Sequence, residues 1–294
     1  MQYLWVLLIL VYGIVKGLRE TLKKKAMETN SVLEVLFFYT LFAFLMTIPM
    51  SYDVFSVGWK FHIALIVKAG IIFIAWLCAL NSIKRLPLSI YSVMDMGRVV
   101  FSVLLGIIFL EESIDVLQIL GMVFVIIGIT LVNASSKRTT NEKTGRGVVV
   151  LVLISCLLNS VSGVMDKWIL STQGDRWFFG DATVTSSQVQ FWYMLYLTAL
   201  YGLYILIKRE KINVKKCVRC PWIWILSAIF VIADKCLFIA NSDPNSTVVA
   251  MTLIKQSSVL VTIAMGKIIY KEKDIFYRIF CALIIIVGIS VSIF

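Results

Sequence analysis

Two pairs of polar residues interrupt otherwise apolar runs: Asp95 with Arg98, and Lys255 with Gln256. Asp95 and Arg98 are three residues apart, so a helix presents them on one face, within reach of each other. If those runs cross a bilayer, an ionisable group near its centre costs roughly 2.5–3.5 kcal/mol and must face a partner charge or a watery cavity. Two readings follow. Asp95, Arg98 and Lys255 form a salt bridge that locks the helices, or the same groups with Gln256 line a cavity and hold a polar solute. A carboxylate in such a place can also take up and release a proton, which makes Asp95 the first candidate for ion coupling and Glu20 the next.

Other charges fall inside apolar stretches. Lys16, Arg19 and Glu20 sit toward the end of the first one, where long side chains are expected to snorkel to the interface. Lys68, Asp166-Lys167 and Asp234-Lys235 lie within later stretches. Adjacent residues point about 100° apart on a helix, so at most one of Asp234 and Lys235 faces a cavity directly, and Asp234 is the candidate. The basic set Lys16, Arg19, Lys68, Arg98, Lys167, Lys235 and Lys255 outnumbers Glu20, Asp95, Asp166 and Asp234. That excess suits an anionic or zwitterionic solute better than a simple cation. Trp76, Trp192 and Tyr193 offer flat faces for a ligand, Trp76 foremost. Gly70, Gly121 and Gly128 read as points of close helix approach.

Several chemistries are set aside. Cys217-Val-Arg-Cys220 has a C-x-x-C spacing, but a zinc site needs four ligands and the single histidine, His62, belongs to a distant segment, so no metal site is expected. The remaining cysteines imply no disulfide framework. A phosphate-cradling G-x-x-x-x-G-K-[ST] loop is absent from the sequence, and no nucleophile stands beside a base, so neither ATP-driven work nor enzyme catalysis is expected, nor any cofactor. The net charge of +11 comes from short Lys/Arg clusters between apolar runs, which argues against nucleic acid as a partner.

The elements that must hold these residues are membrane helices. The chain is 60% hydrophobic and 15% charged, with mean hydropathy +0.92. Its apolar stretches are each long enough to cross roughly 30 Å of hydrocarbon at 1.5 Å per residue. Near-unbroken runs such as 148–158 and 281–289 exclude the alternating pattern of barrel strands. The windows predict ten spans, at about 3–22, 32–50, 61–81, 87–110, 115–134, 147–170, 186–207, 221–241, 246–269 and 275–293. The first lacks the basic start and small-residue cleavage site of a removable signal peptide. Loops after odd-numbered spans carry Lys23, Lys24, Lys25, Lys84, Arg85, Lys137, Arg138 and the basic run from Lys208 to Arg219, whereas loops after even-numbered spans hold only Lys60 and Arg176. Basic loops stay in the cytoplasm, so both termini are expected outside a cell inner (plasma) membrane.

A shift of 160 residues aligns Asn81-Ser82 with Asn241-Ser242, Gly106 with Gly266, Glu112 with Glu272, and Gly128-Ile129 with Gly288-Ile289. It also brings Lys255 onto Asp95. The chain is therefore expected to be an all-α membrane protein of ten transmembrane helices, built as two inverted five-helix repeats. Residues 1–134 form the first, 135–146 a cytoplasmic linker and 147–294 the second. An odd number of spans threads the copies in opposite directions, which gives alternating access its two gates.

The segment Gly106-Ile-Ile-Phe-Leu-Glu-Glu-Ser, then Gln118-Ile-Leu-Gly121 and Val125-Ile-Ile-Gly128, resembles the closing signature of an EamA domain in the drug/metabolite transporter superfamily. Gly266-Lys-Ile-Ile-Tyr-Lys-Glu272 with Ile286-Val-Gly288 resembles a second copy, in which Cys281 stands where Gly121 does in the first. The resemblance implies a secondary transporter of a small polar metabolite, acting without a cofactor in a lipid bilayer as a monomer or homodimer. A component of a lipid flippase or scramblase is the rival expectation, favoured by a cavity that opens sideways to lipid.

Overall fold

The computed structural model describes residues 4–50, 53–110, 146–170, 178–271 and 275–291, together with most positions between 116 and 131. Among these every regular element is helical. In chain order they are α1 (Leu4–Ala26), α2 (Val32–Thr47), α3 (Trp59–Arg85), α4 (Leu88–Asp95), α5 (Arg98–Leu110), α6 (Arg146–Leu170), α7 (Ser186–Lys208), α8 (Val214–Arg219), α9 (Pro221–Asn241), α10 (Val248–Ile254), α11 (Ser257–Tyr270) and α12 (Ile275–Val291). The described positions from 116 to 131 are helical too. The expected linker at 135–146, apart from Arg146 at the start of α6, and the acidic positions Glu111, Glu112 and Glu272 lie outside the described residues.

Among the described residues, six stretches are long and apolar enough to cross a membrane: 59–85, 88–109, 147–170, 186–208, 221–241 and 248–270. At 27 residues, α3 reaches about 40 Å, more than the thickness of the hydrocarbon. The 23 residues of α1 match that scale in length but carry charge through their second half. α2 and α12 are apolar and shorter.

Local signals account for the helix starts. Ser31 caps α2 in a reciprocal box, its hydroxyl accepting from the Glu34 N–H while Glu34 accepts from the Ser31 N–H. Thr185 and Gln188 form the same device at α7, and Pro221 opens α9 at the one helical turn where its missing N–H costs nothing.

Two expected spans are broken rather than continuous. The fourth divides at Met96-Gly97 into α4 and α5, and the ninth at Lys255-Gln256 into α10 and α11. Both breaks are bridged by tighter i→i+3 bonds: the Val99 N–H donates to Met96 O and the Val259 N–H to Gln256 O, each at 2.9 Å. Asp95, Arg98 and Lys255 flank these breaks and so sit at helix ends, where backbone groups lack intrahelical partners.

Packing of the helices follows a regular scheme. α1 runs along α9 and α3 along α6; α1 also crosses α11, and α6 crosses α5. α2 lies against α7 and α9, α7 against α3, α4 against α11 and α10 against α5. One close crossing is on α1, where a Cβ on Gly17 would stand 2.6 Å from Ser258 O and 2.7 Å from Val261 Cβ. Gly13 and Gly17 thus make a small-xxx-small face on which α11 rests. Gly288 meets Phe124 and Gly121 in the same manner, and Gly202 faces Phe37. Gly70, in contrast, has open space around it, so its expected packing role is corrected.

Polarity is inside-out compared with a water-soluble bundle. Leu7, Ile66, Ile108 and Leu206 face outward, while Lys16, Arg19, Lys68 and Asp95 are buried. Only an apolar solvent rewards that arrangement, and the protein is accordingly multi-pass in a membrane.

Candidate functional site

Buried charge collects around one internal cavity of about 90 Å³. Pockets for drug-sized ligands run to roughly 300–1,000 Å³, so this one admits a compact solute. Each lining helix contributes one face. Tyr12, Lys16, Arg19, Glu20 and Lys23 follow helical spacing along α1; Lys68, Ile72, Trp76 and Ala79 do so along α3; Asn159, Ser162, Gly163 and Asp166 along α6. Tyr91, Arg98 and Ser102 enter from the α4–α5 break, Tyr193 from α7, Phe230, Asp234 and Leu237 from α9, and Thr252 and Lys255 from the α10–α11 break.

Ion pairs organise the walls. Asp95 accepts from Lys16 Nζ at 2.9 Å on one oxygen and from Arg98 Nη2 at 2.8 Å on the other. Lys68 meets Asp166 at 3.0 Å, its ammonium 3.5 Å from the centroid of the Tyr193 ring. Lys23 and Glu20 pair at 2.8 Å within α1. Lys167 donates to Asn241 O, Asp243 O and Ser246 Oγ, tying α6 to the end of α9. The α4–α5 break is also fastened to α6: Ser160 Oγ donates to Arg98 O at 3.0 Å, and the Cys156 thiol points at Met94 O and Asp95 O.

The remaining charges on the cavity are held differently. Arg19 Cζ stands 4.4 Å from the Phe230 ring centroid and 6.0 Å from that of Tyr12, and its Nη2 donates to Tyr39 Oη at 3.5 Å. Trp76 stacks on Tyr39 and meets Phe230 edge-on, closing an aromatic wall behind the guanidinium. Lys255 Nζ lies 5.7 Å from the Tyr12 ring. Neither Arg19, Lys255 nor Asp234 has an ion-pair partner among the described residues.

The sequence candidates are therefore partly reunited. Arg98, Lys255, Trp76, Asp234 and Glu20 all line the cavity. Asp95 lies behind its wall, with both oxygens taken by cations. Gln256 also lies outside, its Nε2 donating to Thr252 O at 3.0 Å. The expected triad of Asp95, Arg98 and Lys255 is corrected in one member: Lys16 supplies the second cation and Lys255 is left facing the cavity. Snorkelling by Lys16 and Arg19 is corrected as well, because they are 6% and 4% exposed and their polar ends turn inward. Lys23, read as part of a cytoplasmic loop, belongs to α1 and is buried on the cavity.

Trp192 is not a cavity residue; its indole donates to Val54 O at 2.7 Å, whereas its neighbour Tyr193 lines the site. Tyr12, Tyr91, Asn159, Ser162 and Thr252 are new members. A signal existed for some of them, since Asn159, Ser162, Gly163 and Asp166 mark one polar face on an otherwise apolar helix. Away from the cavity, Cys217 of the C-x-x-C is buried beside Asn30, and burial pushes its thiol up to about 11. It stays protonated at neutral pH and is a poor metal ligand.

Comparison with known proteins adds two findings. Residues 3–134 match the model of the EamA-like transporter family. A solved crystal structure superposes with a TM-score of 0.69, covering 98% of this chain and 96% of its own, at 11% sequence identity, a likeness of fold alone.

Proposed function

We propose that this protein, which through residues 3–134 belongs to the EamA-like transporter family of the drug/metabolite transporter superfamily, is a secondary carrier moving a small polar, anionic or zwitterionic metabolite by alternating access. The observation that carries this reading is a cavity walled by six basic side chains and three acidic ones, at the seam where two broken helices meet. Asp95 behind the wall lowers the excess to two positive charges and leaves its sign unchanged.

A ten-span architecture of two inverted five-helix modules underlies the mechanism we infer. Its support is a pattern of exchange. Replacing α1, α2, α3, α4 and α5 by α6, α7, α9, α10 and α11, and the reverse, turns each major helix contact into another that is also made. The α1–α9 packing becomes α6–α3, and the α1–α11 crossing becomes α6–α5. The bridging bonds of the two breaks, Val99 to Met96 and Val259 to Gln256, differ by the same 160 residues as the sequence repeat. Two copies threaded in opposite senses give two gates of equal construction around one fixed site.

In this reading Arg98, Lys255, Trp76 and Asp234 contact the solute, and Asp95 and Gln256 set the geometry of the breaks. Asp95 and Glu20 are the coupling carboxylates if transport follows a proton gradient. The test is uptake of labelled carboxylates, phosphates and amines into proteoliposomes. Arg98→Gln and Lys255→Gln, each folded and inserted normally, are expected to lose at least about tenfold of the flux, the scale of one charge-assisted hydrogen bond. Undiminished flux in both removes the cavity assignment. Movement of fluorescent lipid with no solute flux replaces the carrier by a lipid scramblase.

A further inference from the structure

Four of the six cavity cations have an ion-pair partner within the chain: Lys16 and Arg98 share Asp95, Lys23 holds Glu20 and Lys68 holds Asp166. Arg19 and Lys255 have none among the described residues. They approach the same ring, with the Tyr12 centroid 6.0 Å from the Arg19 guanidinium and 5.7 Å from the Lys255 ammonium, so they bound one part of the cavity. Arg19 is 4% exposed, and its Nε and Nη1 have no hydrogen-bond partner among the described residues. Phe230 against its face and Tyr39 at Nη2 fix the plane of the group and leave those other donors open. A buried guanidinium held this way lacks an acceptor that the protein does not itself provide.

We propose that Arg19, with Lys255 on the same cavity, forms the subsite for the acid group of the transported solute, a carboxylate or phosphate monoester. This rests on the carrier reading above. The open Nε–H and Nη1–H groups of the guanidinium donate to oxygens of the acid, and the ammonium adds a point charge that needs no fixed direction. Tyr12, whose ring both cations approach, borders the same subsite.

The experiment uses the full chain in nanodiscs, with acetate, inorganic phosphate, benzoate and phenyl phosphate as anionic probes and benzylamine as the cationic one. Binding is read from melting temperature and from intrinsic tryptophan fluorescence, compared with that of a Trp76→Phe variant. At least one anion is expected to raise the melting temperature of the wild type, with carboxylate and phosphate arms reporting which acid fits. That anion is expected to bind roughly tenfold or more weakly to Arg19→Met, to an intermediate degree to Arg19→Lys, and unchanged to Lys235→Met, a residue away from the cavity. Without any ligand, Arg19→Met is expected to melt no lower than the wild type, because it keeps the stem and removes an unpaired buried charge; a purely structural Arg19 gives the opposite result. Failure of all four anions, preference for benzylamine, equal anion affinity in Arg19→Met, or a lower ligand-free melting temperature in that variant overturns the subsite. An anion bound through Arg19 yet never moved into proteoliposomes leaves the subsite standing and refutes the carrier, whereas flux indifferent to Arg19 does the reverse.

Discussion

Lys68 and Asp166 lie in the interior with 2% and 7% of their side chains exposed, and the enclosure by Tyr193 and Phe238 leaves water little access to the pair. Breaking one member of such a pair strands its partner, at a cost of about 3–5 kcal/mol, while replacing both by apolar groups of similar volume is often neutral. Lys68→Met and Asp166→Leu are each expected to lower thermal stability sharply, and the double variant to recover most of the loss. Calorimetry of the four proteins checks this; additive losses would mean that the two groups do not depend on each other. The same pair marks how far single residues could be read from sequence. That Lys68, Asp95, Asp166, Asp234 and Lys255 need special surroundings follows from charge in apolar sequence alone. Which cation takes which carboxylate does not follow, because Lys16 reaches Asp95 across 79 positions and Lys68 reaches Asp166 from another helix. The pairings at i,i+3 spacing, Asp95 with Arg98 and Glu20 with Lys23, are the ones that the sequence puts within reach.

At the scale of helices, hydropathy located the described apolar helices to within a few residues, because the hydrocarbon sets their minimum length. It overlooked the breaks at Met96-Gly97 and Lys255-Gln256. An apolar average passes smoothly over a broken turn, and the hydrogen bonds that close it leave no mark on composition. It also ended the first span at residue 22, although α1 continues to Ala26, since Lys23 read as a loop charge when no partner for it was known. Glycines show the same limit, their type being visible and their neighbours not. Gly17→Ala is expected to destabilise the protein by about 1–3 kcal/mol, because the new methyl meets the Ser258 carbonyl and Val261 rather than a flexible side-chain end. Gly70→Ala, with nothing within 4 Å, is expected to be neutral or slightly stabilising, as alanine favours helix. Equal melting temperatures for the two variants would contradict the close α1–α11 crossing.

For the molecule as a whole, side-chain bonds sort the loops into two ends. Gln188 Nε2 donates to Asp53 O and Ser56 Oγ, joining the segment before α3 to the start of α7. At the opposite end of α7, the Asn213 N–H donates to Glu34 Oε1, Lys216 to Thr29 O, and Lys24 to Leu86 O. The second end thereby collects Lys24, Lys25, Lys84, Arg85 and the basic run from Lys208 to Arg219, the asymmetry that retains loops in the cytoplasm. The two-ended grouping is a matter of packing; its sense across the bilayer is what the charge rule leads one to expect, and it can be measured. Single-cysteine variants Asp181→Cys and Lys211→Cys, both at exposed positions, give the readout with a membrane-impermeant maleimide on intact cells. Labelling above the parent protein is expected for Asp181→Cys directly and for Lys211→Cys only after permeabilisation. Reversed labelling would invert the orientation but keep the bundle. Labelling of both from one side would be incompatible with α7 crossing the membrane, and with it the two opposed modules on which a gated cavity depends.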